Sequence, residues 1–294
     1  MFVFVTGSTG FIGSRVVDEL LAAGHAVLGL TRSDEGAAAL AGKGARAHRG
    51  TLEDLDALRA GAAQCDAVIH LAFDHDFSNF AANCEKDRRA ITAMGEALLG
   101  SARPLIITSG VGMGIPAHGE PGVEHVFNRE HPNPRIASEL AGAALAERGV
   151  DVRVVRLPQV HDTTRFGLIS PAIEMARKKG VSAYVGEGGN RYSAVHVSDA
   201  ARLYRLALEQ GRAGERYHPV AEEGVPMKDI AAAIGRLLNI PVKSLAPEQA
   251  QAHFGWMGMF IGLDLSASSQ WTRERLDWQP EGPGLLADLL PKHK

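Results

Sequence analysis

Cysteine and excess charge are scarce in this sequence, and each scarcity excludes a class of protein. Among 294 residues there are two cysteines, Cys65 and Cys84, which are too few for a disulfide framework and favour two reduced thiols. The 31 basic and 34 acidic side chains leave a formal charge of −3, whereas nucleic-acid-binding proteins carry a strong basic excess. We therefore expect no nucleic-acid partner.

Long apolar runs are also absent. The sequence has no stretch of about 18 apolar residues, so it predicts no membrane span and no membrane partner. The apolar N-terminus leads directly into Thr6-Gly7, without the basic segment and the cleavage site of a signal peptide. Together with the reduced cysteines, these features predict a cytoplasmic protein.

A metal site is not expected either. Asp74, His75 and Asp76 have metal-ligand chemistry, but adjacent residues on a loop rarely chelate one ion together. No third ligand at a suitable spacing is evident in the sequence.

Short apolar segments alternate with helical periodicity through the first half of the chain. The apolar segments are rich in Val and Ile, as buried parallel strands are, and they cover 2–5, 26–30, 67–71, 105–108 and 152–156. Longer helices are predicted between them, including 81–99 and 136–148. This order predicts an α/β fold with a doubly wound parallel sheet of the Rossmann type.

The second half of the chain has a different pattern. We expect helices over 167–180, 197–210 and 227–238 and short strands at 182–185 and 242–245. Gly, Trp and Met concentrate in 254–262, which we interpret as a buried cap or pocket wall. The sequence thus predicts a Rossmann domain over 1–156. Residues 157–294 are expected to form mainly a smaller C-terminal substrate lobe, with some segments returning to the Rossmann sheet.

The strongest local pattern is a glycine-rich loop that follows the first strand and opens a helix. Gly7 permits the tight turn, Gly10 lets the backbone approach a pyrophosphate, and Gly13 allows the helix to pack against the strand. The free N–H groups and the helix dipole favour an anion there. We expect this loop to hold a dinucleotide through Gly7, Ser8, Thr9, Gly10, Phe11, Ile12 and Gly13.

The end of the second strand indicates which dinucleotide is preferred. NAD-binding proteins place an acidic residue there to accept the ribose hydroxyls, but this chain has Thr31-Arg32-Ser33. Arg32 can pair with a 2′-phosphate and stack on adenine, and the two hydroxyls can add hydrogen bonds. This favours NADP as the cofactor. The alternative is that Arg32 is a solvated surface cation.

Six segments together resemble a known family. They are Thr6 to Gly13, His70-Leu71-Ala72, Leu105 to Ser109, Arg156-Leu157-Pro158, Val195 to Asp199 and Leu276 to Pro280. In this order they resemble the extended, epimerase/dehydratase-like branch of the short-chain dehydrogenase/reductase superfamily. The resemblance implies a Rossmann domain with a small substrate lobe. It also implies cofactor contacts at Leu71, Ala72 and Pro158, and an active-site hydroxyl at Ser109.

The chain departs from the family pattern at two places. After the third strand the family usually has an Asp that contacts adenine, whereas this chain has Thr51-Leu52, so we expect a weaker contact there. The second departure concerns catalysis. Arg135 stands where the family's Tyr belongs, and Glu139 stands where its Lys belongs. The chain therefore resembles atypical members that keep the nucleotide fold without the usual catalytic pair.

The missing Tyr leaves the proton donor open. Ser109 can hydrogen-bond a carbonyl oxygen and Arg135 can stabilise developing negative charge, but an arginine is a poor acid. Alternatively, Arg135 and Glu139 simply pair with each other across one helical turn. Histidine is the better donor near neutral pH. We expect His161 to face the pocket, with His125 and His131 as alternatives.

Three functions are consistent with this sequence. The first is an NADPH-dependent oxidoreductase that reduces a small carbonyl compound, an aldehyde, a ketone or a quinone, with a non-standard proton donor. The second is a non-catalytic NADP(H)-binding sensor or scaffold. The third is an epimerase or dehydratase of the extended branch. A homodimer through the helices at 81–99 and 136–148 is also expected from the resemblance.

Overall fold

Strands and helices alternate along the first half of the chain, as the sequence predicts. The computed structural model describes residues 1–117 and 120–290, and in that part of the chain the strands are β1 (Phe2–Thr6), β2 (Ala26–Thr31), β3 (Arg46–Arg49), β4 (Ala67–His70), β5 (Pro104–Gly110), β6 (Asp151–Leu157), β7 (Gln159–His161), β8 (Ser182–Val185), β9 (Arg191–His196), β10 (Arg216–Tyr217), β11 (Glu222–Pro226) and β12 (Val242–Leu245). The α-helices of the same part are α1 (Phe11–Ala22), α2 (Asp34–Gly42), α3 (Leu55–Ala63), α4 (Phe80–Glu96), α5 (Ile136–Glu147), α6 (Ile169–Lys179), α7 (Val197–Gln210), α8 (Met227–Leu238), α9 (Ala250–Phe254), α10 (Gly258–Ile261), α11 (Gln270–Leu276) and α12 (Leu285–Leu289).

Seven of these strands form one parallel sheet in the order β10-β6-β5-β4-β1-β2-β3. The chain moves in one direction from β1 to β3 and in the other from β4 to β6. The strand order therefore reverses between β1 and β4, and ligands of such sheets bind in the crevice at the carboxyl ends of these strands. The predicted doubly wound Rossmann sheet is confirmed.

Two hydrophobic cores cover the two faces of this sheet. On one face α1 and α7 pack together, with Val16 and Leu203 fully buried. On the other face α3, α4 and α5 lie side by side, with Ile91 and Leu145 in the core. The apolar spacing that predicts these helices is therefore the spacing that buries them.

The C-terminal part of the chain contributes a third core. Its strands form a three-stranded sheet in the order β11-β9-β7 and a two-stranded sheet of β12 and β8. Helices α6 and α8 pack on β8, and the aromatic segment near residue 254 joins the same core. Strand β10 instead pairs with β6 and extends the large sheet. Within residues 1–117 and 120–290, no helix is long and apolar enough to cross a membrane.

Candidate functional site

The glycine loop between β1 and α1 is shaped by backbone contacts that exclude side chains. Gly7 has a φ of 66°, and a Cβ there would lie 2.8 Å from the backbone nitrogen of Ala72. A Cβ at Gly13 would lie 2.0 Å from the carbonyl oxygen of Gly7. Both positions therefore require glycine, one because it faces the end of β4 and the other because α1 starts directly against the loop.

The outer side of the same loop is open. A Cβ at Gly10 would meet the carbonyl oxygen of Gly7 at 3.1 Å and no other atom of the described chain within 4 Å. Gly10 is also the residue before α1, and no side chain in the described residues caps that helix. The first N–H groups of α1 thus point out of the loop without intrahelical partners, as a bound pyrophosphate requires. The residues present fit a dinucleotide.

Not every predicted residue of this loop faces the opening. Thr9 and Gly10 are exposed, and Phe11 and Ile12 are partly buried beside them. Ser8 is buried, and its Oγ donates to the carbonyl oxygen of Leu30 at 2.9 Å. Ser8 therefore fastens the loop to β2.

The end of β2 is cationic. Arg32 is exposed, whereas Thr31 is buried and the Ser33 hydroxyl accepts a hydrogen bond from the first turn of α2 at 3.1 Å. Arg49 lies beside Thr31 on β3 and forms an ion pair with Asp34 at 3.0 Å. The serine hydroxyl is already used as a helix cap, so Arg32 is the main group available to a ribose phosphate.

Residues Thr51 and Leu52 follow β3 at the same edge. Thr51 is exposed and its Oγ1 accepts a hydrogen bond from the N–H of Glu53 at 3.2 Å, while Leu52 packs partly buried against the core. Both lie at the carboxyl end of the sheet, where an adenine ring is expected. Neither side chain brings a charge to it.

A buried hydrogen-bond chain joins the glycine loop to α4. Thr6 Oγ1 accepts from the backbone N–H groups of Leu71 and Ala72 at 3.2 Å each, and it contacts His70 Nδ1 at 2.7 Å. His70 Nε2 then contacts Asp87 Oδ1 at 2.9 Å. His70 is therefore structural, and it holds the segment that carries Leu71 and Ala72 against the loop.

Arg135 completes this chain from α5. Its guanidinium donates to Asp87 Oδ2 at 2.5 Å and to the carbonyl oxygen of Thr108 at 2.8 Å, and it also contacts Ser138. It lies 4.2 Å from the ring centre of Phe73. Burial alone would raise the pKa of Asp87, but the charge of Arg135 and the hydrogen bond from His70 hold it well below its usual range.

Glu139 has different partners. Arg156 donates two hydrogen bonds of 2.8 Å to its carboxylate, and Arg216 donates a third at 3.1 Å. The alternative in which Arg135 and Glu139 pair with each other is therefore wrong. Arg135 turns toward the carboxylate of α4, whereas Glu139 turns toward the arginines of β6 and β10. Burial alone would raise the pKa of Glu139, but the hydrogen bonds and charge of Arg156 keep it below its usual value.

Ser109 lies between these two ion pairs. It is next to Arg156 in the register of β5 and β6, and it is buried. No hydrogen bond of ordinary geometry reaches its Oγ among the described residues, but the hydroxyl is close enough to Glu139 to help lower the pKa of that carboxyl. Ser109 is therefore a buried polar group at the end of the strand that borders the crevice.

Comparison with known proteins agrees with this arrangement. The sequence model of the NAD dependent epimerase/dehydratase family matches residues 3–220. The chain belongs to this family. It is 47% identical over 290 residues to an uncharacterised protein of Schizosaccharomyces pombe, with 98% of each chain covered. It is also 30% identical over 282 residues to a 4-hydroxy-2-methyl-3-oxo-4-farnesyl-3,4-dihydroquinoline-1-oxide ketoreductase of Stigmatella aurantiaca, covering 87% of this chain and 80% of that relative.

Solved structures share the fold of this family member. A dTDP-glucose 4,6-dehydratase from Streptomyces venezuelae with NAD and TYD bound is 21% identical, with a TM-score of 0.77 and coverage of 98% of this chain and 96% of that one. A UDP-glucose 4-epimerase of Thermus thermophilus in complex with NAD is 21% identical, with a TM-score of 0.75 and the same coverage. The fold and the resemblance to the extended branch are thus confirmed.

His161 does not line the crevice of this family member. Its side chain is fully buried, and its Nδ1 contacts the carboxylate of Asp288 on α12 at 2.8 Å. Pro158 is buried nearby, in the turn that joins β6 to β7. The prediction that His161 faces the pocket is therefore corrected, because a side chain without accessible surface cannot pass a proton to a substrate in this conformation. Its short strand turns it toward the C-terminal core.

The other histidines lie differently. His125 is exposed in the loop before α5, and no contact joins it to the groups above. His131 is partly exposed, and its Nδ1 accepts a hydrogen bond from the N–H of Asn133 at 3.1 Å. His75, weighed in the sequence only as a metal ligand, is exposed beside Phe73, with the two ring centres 5.3 Å apart. The same ring has the Arg135 guanidinium 4.2 Å from its centre, so Phe73 contacts both His75 and the residue at the tyrosine-equivalent position.

Aromatic rings surround this end of the crevice. We name as the aromatic cluster the five residues Phe73, Phe77, Phe80, Trp256 and Phe260. The first three follow β4, and the last two lie in the segment predicted as a cap or pocket wall. The chain therefore brings two distant segments together over the carboxyl end of β4. The sequence pattern indicated the second segment but not its partner.

Proposed function

We propose that the protein is an NADPH-dependent oxidoreductase that reduces a small carbonyl compound, an aldehyde, a ketone or a quinone. The observation that carries this proposal is the glycine loop, which is closed to side chains at Gly7 and Gly13 and open at Gly10. Such a loop at the switch point of a Rossmann sheet serves to bind a dinucleotide. The Stigmatella ketoreductase among its relatives acts on a carbonyl compound by name, which supports the same reaction class.

The preference for NADPH rests on charge at the end of β2. Arg32 is exposed there, and Arg49 lies opposite the preceding residue, Thr31, in the register of β2 and β3. A guanidinium binds a phosphate through paired, charge-assisted hydrogen bonds, whereas it offers nothing specific to the free ribose hydroxyls of NADH. Asp34 already forms an ion pair with Arg49, so its carboxylate is less available to accept hydrogen bonds from the ribose hydroxyls of NADH.

The chemistry of the site follows from the groups at the ends of β4, β5 and α5. Bound NADPH would supply a hydride to the carbonyl carbon. Arg135, held by Asp87 and Thr108, would stabilise the negative charge that develops on the carbonyl oxygen. Ser109 stands at the family's hydroxyl position, and a rotation of its buried side chain away from Glu139 would let it donate a hydrogen bond to the same oxygen.

The proton is best assigned to His75. Its imidazole is exposed, so it can take up a proton from water after each turnover, and it packs against Phe73, whose ring also contacts Arg135. Arg135 keeps its proton at all accessible pH values, so it cannot fill this role. His161 is excluded in this conformation by its burial.

The test is a two-part measurement. NADPH oxidation, with NADH alongside, is followed against aldehydes, ketones and quinones, and NADPH binding is titrated separately by its fluorescence. Turnover that prefers NADPH supports the proposal. Binding without turnover on any of these carbonyls contradicts it and supports the second candidate.

That second candidate is a non-catalytic NADP(H)-binding sensor or scaffold, and one observation favours it. Both residues at the family's catalytic positions are held in buried ion pairs, Arg135 with Asp87 and Glu139 with Arg156. Such pairs stabilise one conformation of a site, which a sensor needs as much as an enzyme does. Titration and turnover together separate the two.

We also propose a homodimer through α4 and α5 and a cytoplasmic location. The two helices pack on each other, and α5 presents Ala144 exposed at its surface, which allows close approach of a second copy. Light scattering tests the dimer, and a mass near 31.3 kDa would exclude it.

A further inference from the structure

The aromatic cluster joins the two halves of the chain by ring contacts. Phe77 and Trp256 stack almost parallel, with ring centres 4.4 Å apart and an angle of 5° between their planes. Phe260 meets Phe77 edge-on at 5.9 Å, and Phe80 meets Phe260 edge-on at 6.2 Å. The cluster is therefore a single set of rings contributed by the segment after β4 and by the segment near α10.

The aromatic cluster begins next to the residues that contact the glycine loop. The backbone N–H groups of Leu71 and Ala72 donate to Thr6 Oγ1, and the next residue in the chain is Phe73. The ring centres of Phe73 and Phe80 are 6.3 Å apart, and the guanidinium of Arg135 lies over the Phe73 ring, 4.2 Å from its centre. A molecule that has its carbonyl oxygen near Arg135 would thus have the rest of its body against the rings.

The cluster differs from an ordinary hydrophobic core by its exposure. Phe73, Phe77, Phe80 and Trp256 are partly exposed, while only Phe260 among the five is buried. Aromatic side chains of cores are normally buried to a greater extent, and a contiguous, half-open apolar surface marks a binding site. Met259 beside it is 53% exposed, which widens the open apolar surface.

We propose that the aromatic cluster is the substrate subsite and that the substrate is a flat, conjugated carbonyl compound, a quinone or an aryl ketone. Phe77 and Trp256 already stack on each other, and a flat ring would extend this stack on the exposed side of either side chain. Offset or parallel stacking on aromatic side chains stabilises a bound flat ring, whereas a short alkyl chain is stabilised only by the apolar area that it buries. This inference rests on the proposed reductase function.

The reaction at this subsite balances with the cofactor named above. NADPH is oxidised to NADP⁺, the conjugated carbonyl compound gains the hydride, and its oxygen gains a proton from His75. For a quinone, the hydride and this single proton together supply the two hydrogens of the hydroquinone. No further oxidant or reductant is required.

The kinetic test compares two substrates in three variants. NADPH-driven reduction of menadione and of butanal is measured in the Phe77→Leu, Trp256→Leu and Trp271→Leu proteins. Loss of one aromatic stack, about 0.5–1.5 kcal/mol, converts to a two- to twelvefold change in rate, so we expect kcat/KM for menadione to fall by that factor in the first two variants. Butanal should change less than about twofold. Trp271 is 40% exposed and stacks on Tyr217 away from the cluster, so it serves as the matched control.

Equal losses for both substrates would overturn the inference, because a purely structural role of the rings does not discriminate between them. Unchanged menadione reduction in both cluster variants would overturn it as well. Reduction of butanal but not of menadione by the unmodified protein would leave the reductase function standing and reject the substrate class.

A binding measurement keeps the subsite testable without turnover. The protein is saturated with NADP⁺ and titrated with 2-naphthol, a flat aromatic that cannot be reduced here, while tryptophan fluorescence is recorded. We expect saturable quenching that is lost in Trp256→Phe and retained in Trp271→Phe. Quenching without any turnover on carbonyls would reject the reductase function and retain the subsite. Absence of saturable quenching would reject the subsite.

Discussion

The two ends of the crevice follow the family pattern to different degrees. At the cofactor end, Gly7, Gly10 and Gly13 all stand where the pattern requires them, and the structure explains two of them by backbone contacts of 2.8 and 2.0 Å that a Cβ would make. At the catalytic end, Arg135 and Glu139 replace the usual Tyr and Lys. The difference is physical. A phosphate cradle is made of backbone groups, whereas proton chemistry depends on side chains that can be exchanged.

Arg135 and Glu139 both have a structural role in this fold. Arg135 forms an ion pair with the buried carboxylate of Asp87 at 2.5 Å, and Glu139 forms one with the fully buried guanidinium of Arg156 at 2.8 Å. Each new charge thus has a partner on another element. A buried charge without its partner costs several kcal/mol, so these pairs fix the residues at both positions.

Of the changes considered, Glu139→Lys should destabilise the protein most, through the catalytic end of the crevice. It restores the family's residue type but places a cation beside Arg156 and Arg216, and it removes three hydrogen bonds. We expect the free energy of unfolding to fall by about 3–5 kcal/mol, because a buried guanidinium is left unpaired. Urea denaturation followed by circular dichroism measures this.

The matched control is Glu147→Lys on the same helix. Glu147 pairs with Arg129 at the surface, where both side chains are more than half exposed. Such pairs contribute about 0–1 kcal/mol, so the control should unfold at nearly the same urea concentration as the unmodified protein. Similar stability of both variants would show that the buried pair does not hold the helix in place.

Gly13→Ala should disrupt the glycine loop at the cofactor end of the crevice. Its Cβ would lie 2.0 Å from a backbone oxygen, so the loop must shift and the pyrophosphate contacts are lost. We expect a loss of about 1–3 kcal/mol in stability and an NADPH dissociation constant raised about 100-fold. Thermal unfolding and a fluorescence titration measure the two effects.

Gly42→Ala is the control for this glycine. A Cβ there would meet no atom of the described chain within 4 Å, and the residue ends α2 with an ordinary backbone conformation. The helix should gain up to about 1 kcal/mol, and NADPH affinity should not change. A Gly13→Ala protein that binds NADPH normally would contradict the role given to the loop.

The same distinction explains how far the sequence could predict this molecule. The Rossmann sheet was predictable because its strands β1, β2, β4, β5 and β6 match the apolar segments 2–5, 26–30, 67–71, 105–108 and 152–156 to within two residues. The sheet of β7, β9 and β11 was not, since its strands are short, partly polar and far apart in the chain. Long-range pairing of this kind leaves no local pattern.

The site shows the same limit. The glycine loop was predictable because its function lies in a local backbone geometry. Asp87 was not, because its role depends on Arg135, which lies on another helix and far along the chain. His161 was misplaced for a similar reason, since only the packing of α12 shows that its partner is Asp288.

His75→Gln tests whether the catalytic end still performs proton transfer. Partial burial of the imidazole and the charge of Arg135 lower the pKa of His75, while a hydrogen bond to the backbone of Phe73 and the charges of Asp74 and Asp87 act in the opposite direction. Its protonated form is therefore scarce at neutral pH and increases as the pH falls. We expect kcat of the unmodified protein to rise toward acidic pH and then level off near that lowered pKa.

The variant should lose this pH dependence and about 100-fold in kcat at the plateau, while its KM for NADPH stays the same. His253→Gln is the control. Burial and the charge of Lys179 also lower the pKa of His253, but it lies at the end of α9 in the C-terminal core. An unchanged pH profile in His75→Gln would assign the proton to another group, with His131 the next to substitute.

Arg32→Asp sharpens the comparison at the cofactor end, because it tests the proposal that this one side chain sets the preference between NADPH and NADH. A carboxylate at this position would repel a 2′-phosphate and accept the ribose hydroxyls of NADH. Removing a charge-assisted hydrogen bond costs about 1.5–3 kcal/mol, so we expect the ratio of NADPH to NADH affinity to fall at least about tenfold. The loss should be incomplete, because Arg49 remains beside Thr31 and keeps some positive charge at this edge. Lys178→Asp, at the exposed end of α6, controls for the change in overall charge and should leave the ratio unaltered. An Arg32→Asp protein with the original preference would show that this arginine is a solvated surface cation, and the choice of NADPH would then have to come from elsewhere in the fold.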